Sequence, residues 1–311
     1  MYQIGCKIDE VRVDGDLQAV KKDLQTFKEW GFPVVEIPVH GLDVVVNGKI
    51  SDSKMQQVVD LLSEFSFQYS VHAPNPINLM DQTDPEIHYQ VLDSTLQFAR
   101  NIQSKVVVYH AGRYIAEEWF PYSNPNQLND DLMFQMLQQE ITYIRKLAAN
   151  YPDVMICIEN ARPYNVYSPY CYGENMDTLL NLLETINRSN VKMTLDIGHL
   201  FMAASFFGYD PIEAINKAKP YIYHIHIHDN FGKSILYTEK QQTHLLPFGK
   251  GDMHLPVGFG SIPFAAFLPV LIRDYQQFII MEIRSRYFQD IKESRKNLFS
   301  IIEETMKEKV L

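Results

Sequence analysis

The 311-residue sequence has few cysteines, no long apolar run and a shortage of basic residues. Its three cysteines, Cys6, Cys157 and Cys171, form no CxxC motif, so we expect no disulfide framework and a reducing, cytoplasmic location. The apolar runs are far shorter than the roughly 20 residues that cross a bilayer. The amino-terminal segment also lacks the basic and apolar regions of a signal peptide. We therefore expect no membrane partner.

The charge balance also narrows the choice of partners. There are 28 Lys and Arg residues against 38 Asp and Glu residues, a formal net charge of -10. Because basic surface supplies the non-specific affinity for nucleic acids, this balance disfavours DNA, although a local basic groove would still allow it. With 46% apolar and 21% charged residues, the composition excludes a disordered, collagen-like or coiled-coil chain.

Short apolar runs alternate with longer amphipathic segments along the whole chain. Helical spacing is clear at Val58, Leu61, Leu62 and Phe65, and a capping Asp precedes proline at 84–85 and at 210–211. The predicted strands are Tyr2–Ile8, Pro33–Val39, Phe67–His72, Lys105–His110, Val154–Glu159, Val191–Asp196, Tyr221–His228 and Phe278–Ile283. The predicted helices are 16–30, 52–65, 85–102, 127–150, 174–188, 210–219, 262–275 and about 288–308.

Eight such units without a linker predict one domain over residues 1–311, of the α/β class and with a (β/α)8 TIM barrel fold. A doubly wound sheet is the alternative. In such a barrel the functional residues lie at the carboxyl ends of the strands.

Histidines and carboxylates gather at those predicted strand ends and in the loops that follow them. They are His72, His110, Glu159, Asp196, His199, His226, Asp252, His254 and Glu282. These nitrogen and oxygen donors suit zinc, manganese, iron or magnesium, and four carboxylates in one place would repel each other without a cation. The sequence therefore predicts a metal site at the carboxyl ends of the strands.

The seventh predicted strand carries three alternating histidines, His224, His226 and His228, which share one face. We expect His226 to be a metal ligand and His224 to be a buried, hydrogen-bonded residue of the barrel interior. His228 would orient a ligand or contact substrate.

The quoted residues resemble those of the xylose isomerase-like barrels. That group includes sugar (phosphate) isomerases and epimerases and the apurinic-site DNA endonucleases of the endonuclease IV type. The resemblance extends from Gly5 to about Ile283. The matching stretches are HAPNPINL (72–79), VVVYHAG (106–112), IEN (158–160), LDIGH (195–199), HIHD (226–229), GDMHLPVGFG (251–260) and MEI (281–283).

The resemblance implies a ligand set for up to three metal ions, most simply zinc. The endonuclease branch binds three zinc ions, and each of its nine ligands has a match here. By analogy, one ion is held by His72, His110 and Glu159, a second by Glu159, Asp196, His226 and Glu282, and a third by His199, Asp252 and His254. The simpler isomerases use one or two metals, held by residues like those of the second set.

The chain departs from the endonuclease branch at several positions. Asn75 stands where that branch places an aromatic residue next to DNA, and Gly258-Phe259-Gly260 replaces a GEG turn. The segments 113–126 and 161–175, which we expect to rim the pocket, do not match that branch either. These differences favour a small carbohydrate-like substrate over DNA.

Two enzymatic hypotheses follow from this pattern. The first is an isomerase or epimerase in which a metal polarises a carbonyl or hydroxyl pair while Glu159 and Glu282 transfer protons, with His228 or Glu36 as the alternative base. The second is metal-dependent phosphoester hydrolysis, in which Arg284 and Arg286 clamp a phosphate, unless they are solvated loop charges. Glu36, Asn75, Arg284 and Arg286 are the candidate substrate-binding residues.

A third, less favoured hypothesis is a non-enzymatic, metal-stabilised barrel that only binds a ligand. The sequence leaves the oligomeric state open.

Overall fold

The computed structural model describes residues 2–122, 128–237 and 243–307. Eight parallel strands form a closed barrel in chain order, with the last strand paired to the first. The strands are β1 Gln3–Lys7, β2 Val34–Pro38, β3 Gln68–His72, β4 Val106–His110, β5 Met155–Glu159, β6 Val191–Asp196, β7 Ile222–Ile227 and β8 Phe278–Met281. The predicted (β/α)8 barrel is confirmed, and the doubly wound alternative is wrong.

The helices lie between the strands. They are α1 Glu10–Val13, α2 Leu17–Glu29, α3 Asp52–Ser63, α4 Pro85–Asn101, α5 Asp130–Asn150, α6 Met176–Ile186, α7 Ile197–Phe207, α8 Pro211–Ala218, α9 Phe264–Leu271 and α10 Ile291–Lys307. All eight predicted helices are present with shifted ends. Two predicted helix ends, residues 127 and 308, lie outside the described residues. So do residues 123–126 of the segment 113–126 that we expect to rim the pocket.

Helix α7 is the main element that the sequence pattern did not predict. It begins directly after β6, where the Asp196 side chain caps it by accepting the His199 backbone N–H at 2.6 Å. The predicted ligands Asp196 and His199 therefore lie at the N-cap and in the first turn of a helix. Because α7 is apolar on nearly all sides and mostly buried, it lacks the polar face by which an amphipathic helix is recognised.

A two-stranded hairpin, Val45–Val46 with Lys49–Ile50, was also not predicted. Its turn residues Asn47 and Gly48 both have positive φ, 47° and 74°, as an Asn-Gly hairpin turn requires. The dipeptide marks the turn in the sequence, but strands of two residues are too short to show an alternating pattern.

The barrel is closed tightly at β1. A Cβ atom on Gly5 would lie 2.6 Å from the Val34 carbonyl oxygen and 2.7 Å from the Ile280 side chain, so only glycine fits between β2 and β8. Apolar side chains such as Leu24 and Phe27 of α2 are buried against this ring. Burying one such side chain contributes roughly 1.5–3 kcal/mol. This packing fixes the strand ends that carry the polar residues.

Cys6, Cys157 and Cys171 are all free and buried in the structure. The sequence predicts no disulfide framework. Within the described ranges, no helix is both long and apolar enough to span a lipid bilayer.

Candidate metal centre

All nine predicted ligands meet at the carboxyl-terminal mouth of the barrel, in groups whose donor atoms lie within 4.8 Å of one another. The first group is His72, His110 and Glu159, and the second is Glu159, Asp196, His226 and Glu282. The third is His199, His228, Asp252 and His254, so His228 joins the three residues that the sequence suggested. Glu36 forms a further group with His72 and His226.

In the first group, the imidazole of His72 is held in the orientation that a metal ligand needs. Its Nδ1 lies 2.7 Å from the Ala73 carbonyl oxygen, to which it donates, so the Nε2 lone pair faces the site. Burial lowers the pKa of His72 to about 3, which keeps the ring neutral. Glu159 Oε2 lies 3.1 Å from His110 Nε2 and 3.8 Å from His72 Nε2. His72 Nε2 is buried without a hydrogen-bond partner among the described residues.

The second group places two glutamates around one nitrogen of His226. His226 Nδ1 lies 3.1 Å from Glu159 Oε1 and 3.3 Å from Glu282 Oε2. The other oxygen of Glu282, Oε1, accepts a hydrogen bond from the Lys7 ammonium at 2.6 Å. Burial raises the pKa of Glu282, but Lys7 and His226 outweigh it and hold that pKa well below its usual range. Glu282 is therefore ionised, with one oxygen facing the site.

Glu36 lies behind His226, inside the barrel. Its Oε1 is 2.9 Å from His226 Nε2, and its Oε2 accepts hydrogen bonds from His224 Nε2 at 2.8 Å and Ser70 Oγ at 2.9 Å. Glu36 is fully buried, a position that suits orientation of His226. The expected contact of Glu36 with substrate stays a prediction. His224 is a fully buried, hydrogen-bonded interior residue, as predicted.

The third group surrounds Asp252. Asp252 Oδ2 lies 3.1 Å from His199 Nε2 and 2.9 Å from His254 Nε2. The Nδ1 atoms of these histidines lie 2.9 Å from the carbonyl oxygens of Asn160 and Glu282, respectively. Burial opposes a charge on His199, but the carboxylates of Asp196 and Asp252 outweigh burial and raise its pKa to about 10.

His228 follows the last residue of β7 and is fully buried. Its Nε2 lies 3.2 Å from Asp196 Oδ2, and its ring stacks on His254 with 4.0 Å between the centroids. A Cβ atom on Gly198 would overlap the His228 ring, so the glycine of the LDIGH stretch makes room for it.

Two cations at the mouth were not found from the sequence. Lys7, the last residue of β1, bonds Glu282, and the same rule of strand ends applied to the first strand would have found it. Arg162 lies in the segment after β5, with its Nε 3.3 Å from Asp252 Oδ2. No motif in the sequence marked Arg162, because its partner lies 90 residues further along the chain.

The remaining candidate residues lie around the rim. Asn75 is half-buried with an unpartnered Oδ1 within the described part of the chain, and its carbonyl accepts a hydrogen bond from Arg113 at 2.7 Å. Arg284 and Arg286 are exposed and line a pocket beside Asp252, together with Lys250. Arg284 donates a hydrogen bond to the Asp252 backbone carbonyl at 2.8 Å.

The donor chemistry of the mouth fits divalent cations. Imidazole nitrogens and ionised carboxylate oxygens converge, and several of these atoms are buried without a hydrogen-bond partner in the described ranges. Solvent reaches the centre past His110, His254 and Glu282, whose side chains are 19%, 16% and 13% exposed.

The sequence model of the xylose isomerase-like TIM barrel family matches residues 24–304. The chain belongs to this family. It is 24% identical over 302 residues to an uncharacterized protein of Methanocaldococcus jannaschii, an alignment that covers 94% of this chain and 89% of the relative.

Solved structures show the same fold. The barrel is similar to a D-tagatose 3-epimerase-like protein, with a TM-score of 0.72, 22% identity and coverage of 99% of this chain and 100% of the other. It is also similar to an L-ribulose 3-epimerase, with a TM-score of 0.69, 14% identity and coverage of 99% and 97%. The predicted family is confirmed.

Proposed function

We propose that the protein is a divalent-metal-dependent isomerase or epimerase that acts on a small carbohydrate-like substrate. The observation that carries this proposal is the second group, in which Glu159 and Glu282 approach the same nitrogen of His226 from two directions. The sugar epimerases among the structural neighbours support the choice of reaction class.

Charge supports one divalent cation in the second group. Three carboxylates, of Glu159, Asp196 and Glu282, meet there, and the ammonium of Lys7 offsets one of them. Two negative charges are left, which matches a dication. A divalent ion bound there would supply Lewis-acid polarisation of a carbonyl or hydroxyl pair and stabilise the negative charge left by proton removal. Zinc is the first choice, with manganese, iron or magnesium as alternatives.

We assign proton transfer to Glu159 and Glu282. Lys7 occupies Glu282 Oε1, so the atom that would exchange a proton with substrate is Oε2, which faces His226. On the other side, Glu159 Oε2 faces the imidazoles of the first group, 3.1 Å from His110 Nε2 and 3.8 Å from His72 Nε2. His228 is enclosed by Asp196 and His254, and we therefore give it the role of orienting Asp196 instead of proton transfer.

One observation favours the alternative function, metal-dependent phosphoester hydrolysis. Glu159 belongs to both the first and the second group, so its carboxylate could bridge two cations, as in two-metal hydrolytic sites. A phosphate would then bind near Arg284 and Arg286 at the rim. The excess of acidic over basic residues still disfavours DNA as that substrate.

Solvent-isotope exchange tests the proposal. The zinc- or manganese-loaded protein is incubated in D2O with a panel of ketoses, aldoses and their phosphates, and deuterium at carbon is read by NMR. We expect exchange with at least one sugar, and a loss of about 10²–10⁴-fold in rate for Glu159→Gln and for Glu282→Gln. Glu184→Gln is the matched control, because this exposed glutamate bonds Tyr221 at the opposite, amino-terminal end of β7.

A parallel assay separates the two functions. The same loaded protein is incubated with an abasic-site duplex and with bis(p-nitrophenyl) phosphate. Hydrolysis that is lost in Glu159→Gln, with no exchange in any sugar, would overturn the isomerase proposal in favour of the phosphoesterase.

A further inference from the structure

Arg162 holds its guanidinium against the donor atoms of the third group. Its Nε lies 3.3 Å from Asp252 Oδ2, and its Nη1 lies 3.4 Å from His199 Nε2. These are two atoms that would bind a third metal ion if the full ligand set were used. A cation bonded to both would lie about 2.0–2.2 Å from each, close to the fixed positive charge of the arginine.

The guanidinium is anchored in this position. Its Nη2 donates a hydrogen bond to the Tyr164 hydroxyl at 3.1 Å, and the Tyr164 ring lies 5.6 Å from the guanidinium carbon. Tyr164 is itself only 1% exposed, and the Arg162 side chain is 22% exposed. Asp252, His199 and Tyr164 therefore fix the planar group, which approaches the Asp252 carboxylate through Nε alone.

The net charges of the second and third groups also differ, and this difference favours a cation in the second group but not in the third. The second group keeps two negative charges after Lys7 is counted. In the third group Asp252 is the one carboxylate beside three histidines, and Arg162 neutralises it. A dication added next to Arg162 would leave an uncompensated positive charge in a largely buried place, which is costly.

We propose that Arg162 takes the place of a third metal ion, so that the wild-type centre binds at most two divalent cations. This deepens the proposed function, because it fixes the number of cations at the same site. It also separates the chain from a three-metal endonuclease even though every ligand for the third ion is present. Asp252 Oδ2 and His199 Nε2 are the atoms that a third ion would use once the guanidinium is removed.

Metal counting tests this proposal without an activity assay. The metal-free full-length protein is titrated with zinc alone, and bound ions per chain are counted by native mass spectrometry. We expect no more than two in the wild type and one additional zinc in Arg162→Gln. The additional ion should be lost in Arg162→Gln with Asp252→Asn, which assigns it to the third group.

Arg284→Gln is the matched control. Arg284 also bonds Asp252, but through the backbone carbonyl, and its loss should leave the zinc count unchanged. If Arg162→Gln does not fold, Arg162→Lys is measured as a variant that keeps the positive charge. We expect Arg162→Lys to bind the same number of zinc ions per chain as the wild type. Three zinc ions in the wild type, or no gain in a folded Arg162→Gln variant, would overturn the proposal.

The outcomes also distinguish this inference from the proposed function. A wild type that binds no zinc, manganese or iron contradicts the metal-dependent function. A gain of one zinc in Arg162→Gln would then still support the role of Arg162. Three ions in a wild type that exchanges sugar protons would remove the inference and leave the function in place.

Discussion

The ammonium of Lys7 lies 2.6 Å from Oε1 of Glu282, although 275 residues separate the two in the sequence. This ion pair joins the first and last strands of the barrel at its mouth. It leaves Glu282 Oε2 as the oxygen that faces His226. The pair therefore belongs both to the closure of the barrel and to the candidate metal centre.

We predict that Lys7→Met destabilises the metal-free protein more than the metal-loaded one. Removing one partner of a buried ion pair costs about 3–5 kcal/mol, because the other charge is left unpaired. A zinc ion in the second group would then compensate Glu282. Urea denaturation with and without zinc measures both values, and Lys7→Arg, which keeps the charge, is the control. Equal stabilisation by zinc in wild type and Lys7→Met would contradict a shared role for Glu282.

Glu36 is predicted to act on metal affinity through His226. Its Oε1 lies 2.9 Å from His226 Nε2, a contact that turns His226 Nδ1 towards Glu159 and Glu282. We expect Glu36→Gln to weaken zinc binding about 10–100-fold, as with other carboxylates that orient ligating histidines. Competition with a chromophoric chelator measures this change. Ser70→Ala, which removes one hydrogen bond to Glu36 Oε2, should change the zinc affinity less. Identical zinc affinities for Glu36→Gln and the wild type would disprove the role of Glu36 in orienting His226.

Removal of metal should lower the stability of the whole barrel. A ligand that binds only the folded state stabilises it by about 2.7 kcal/mol at 100 times its Kd. We expect EDTA to reduce the Tm of the wild type and to have little effect on Asp196→Asn, which lacks a second-group ligand. Differential scanning calorimetry measures both, with Glu184→Gln expected to respond like the wild type. An unchanged wild-type Tm would count against a resident metal.

A pH-dependent prediction concerns Glu140 on α5. Its carboxyl is fully buried and accepts hydrogen bonds from the hydroxyls of Tyr109 at 3.2 Å and Tyr172 at 2.7 Å. Burial raises the pKa of Glu140 from 4.5 to about 7. The protonated carboxyl therefore stabilises the fold fully below pH 4.5, and this contribution is lost as the pH rises through about 7.

Glu140→Gln cannot ionise and should escape this loss. We expect its stability relative to the wild type to rise by about 3 kcal/mol between acidic and mildly alkaline pH, since each pKa unit corresponds to about 1.4 kcal/mol. Urea denaturation across that range measures the difference, in which other titrating groups cancel. The exposed Glu184→Gln should show a constant difference, and a constant difference for Glu140→Gln would refute the prediction.

Much of the fold could be predicted because strands and amphipathic helices leave periodic patterns. The strand ends at His72, His110, Glu159 and Asp196 are as predicted, since each strand stops at the residue that turns into the mouth. Helix α7 was missed because burial on most sides removes its polar face. Its sequence gives no contrast between two sides of a helix.

The candidate centre was predictable as a set of ligands but not as an arrangement of charges. Lys7 and Arg162 act on Glu282 and Asp252 across distances in the chain that periodicity does not encode. Glu36 could be placed at the second strand, but only the structure shows that it lies beneath His226. Sequence patterns identify which residues reach the mouth, whereas pairing between strands decides which of them touch.

The donors of the first two groups come from the ends of β3 to β7 and from Glu282, which directly follows β8. A nascent chain that lacks its last strand therefore has only a partial coordination sphere, however well its earlier units have folded. Tight cation binding would thus appear only when the ring is complete, and a zinc-sensitive probe during refolding would report the moment of closure.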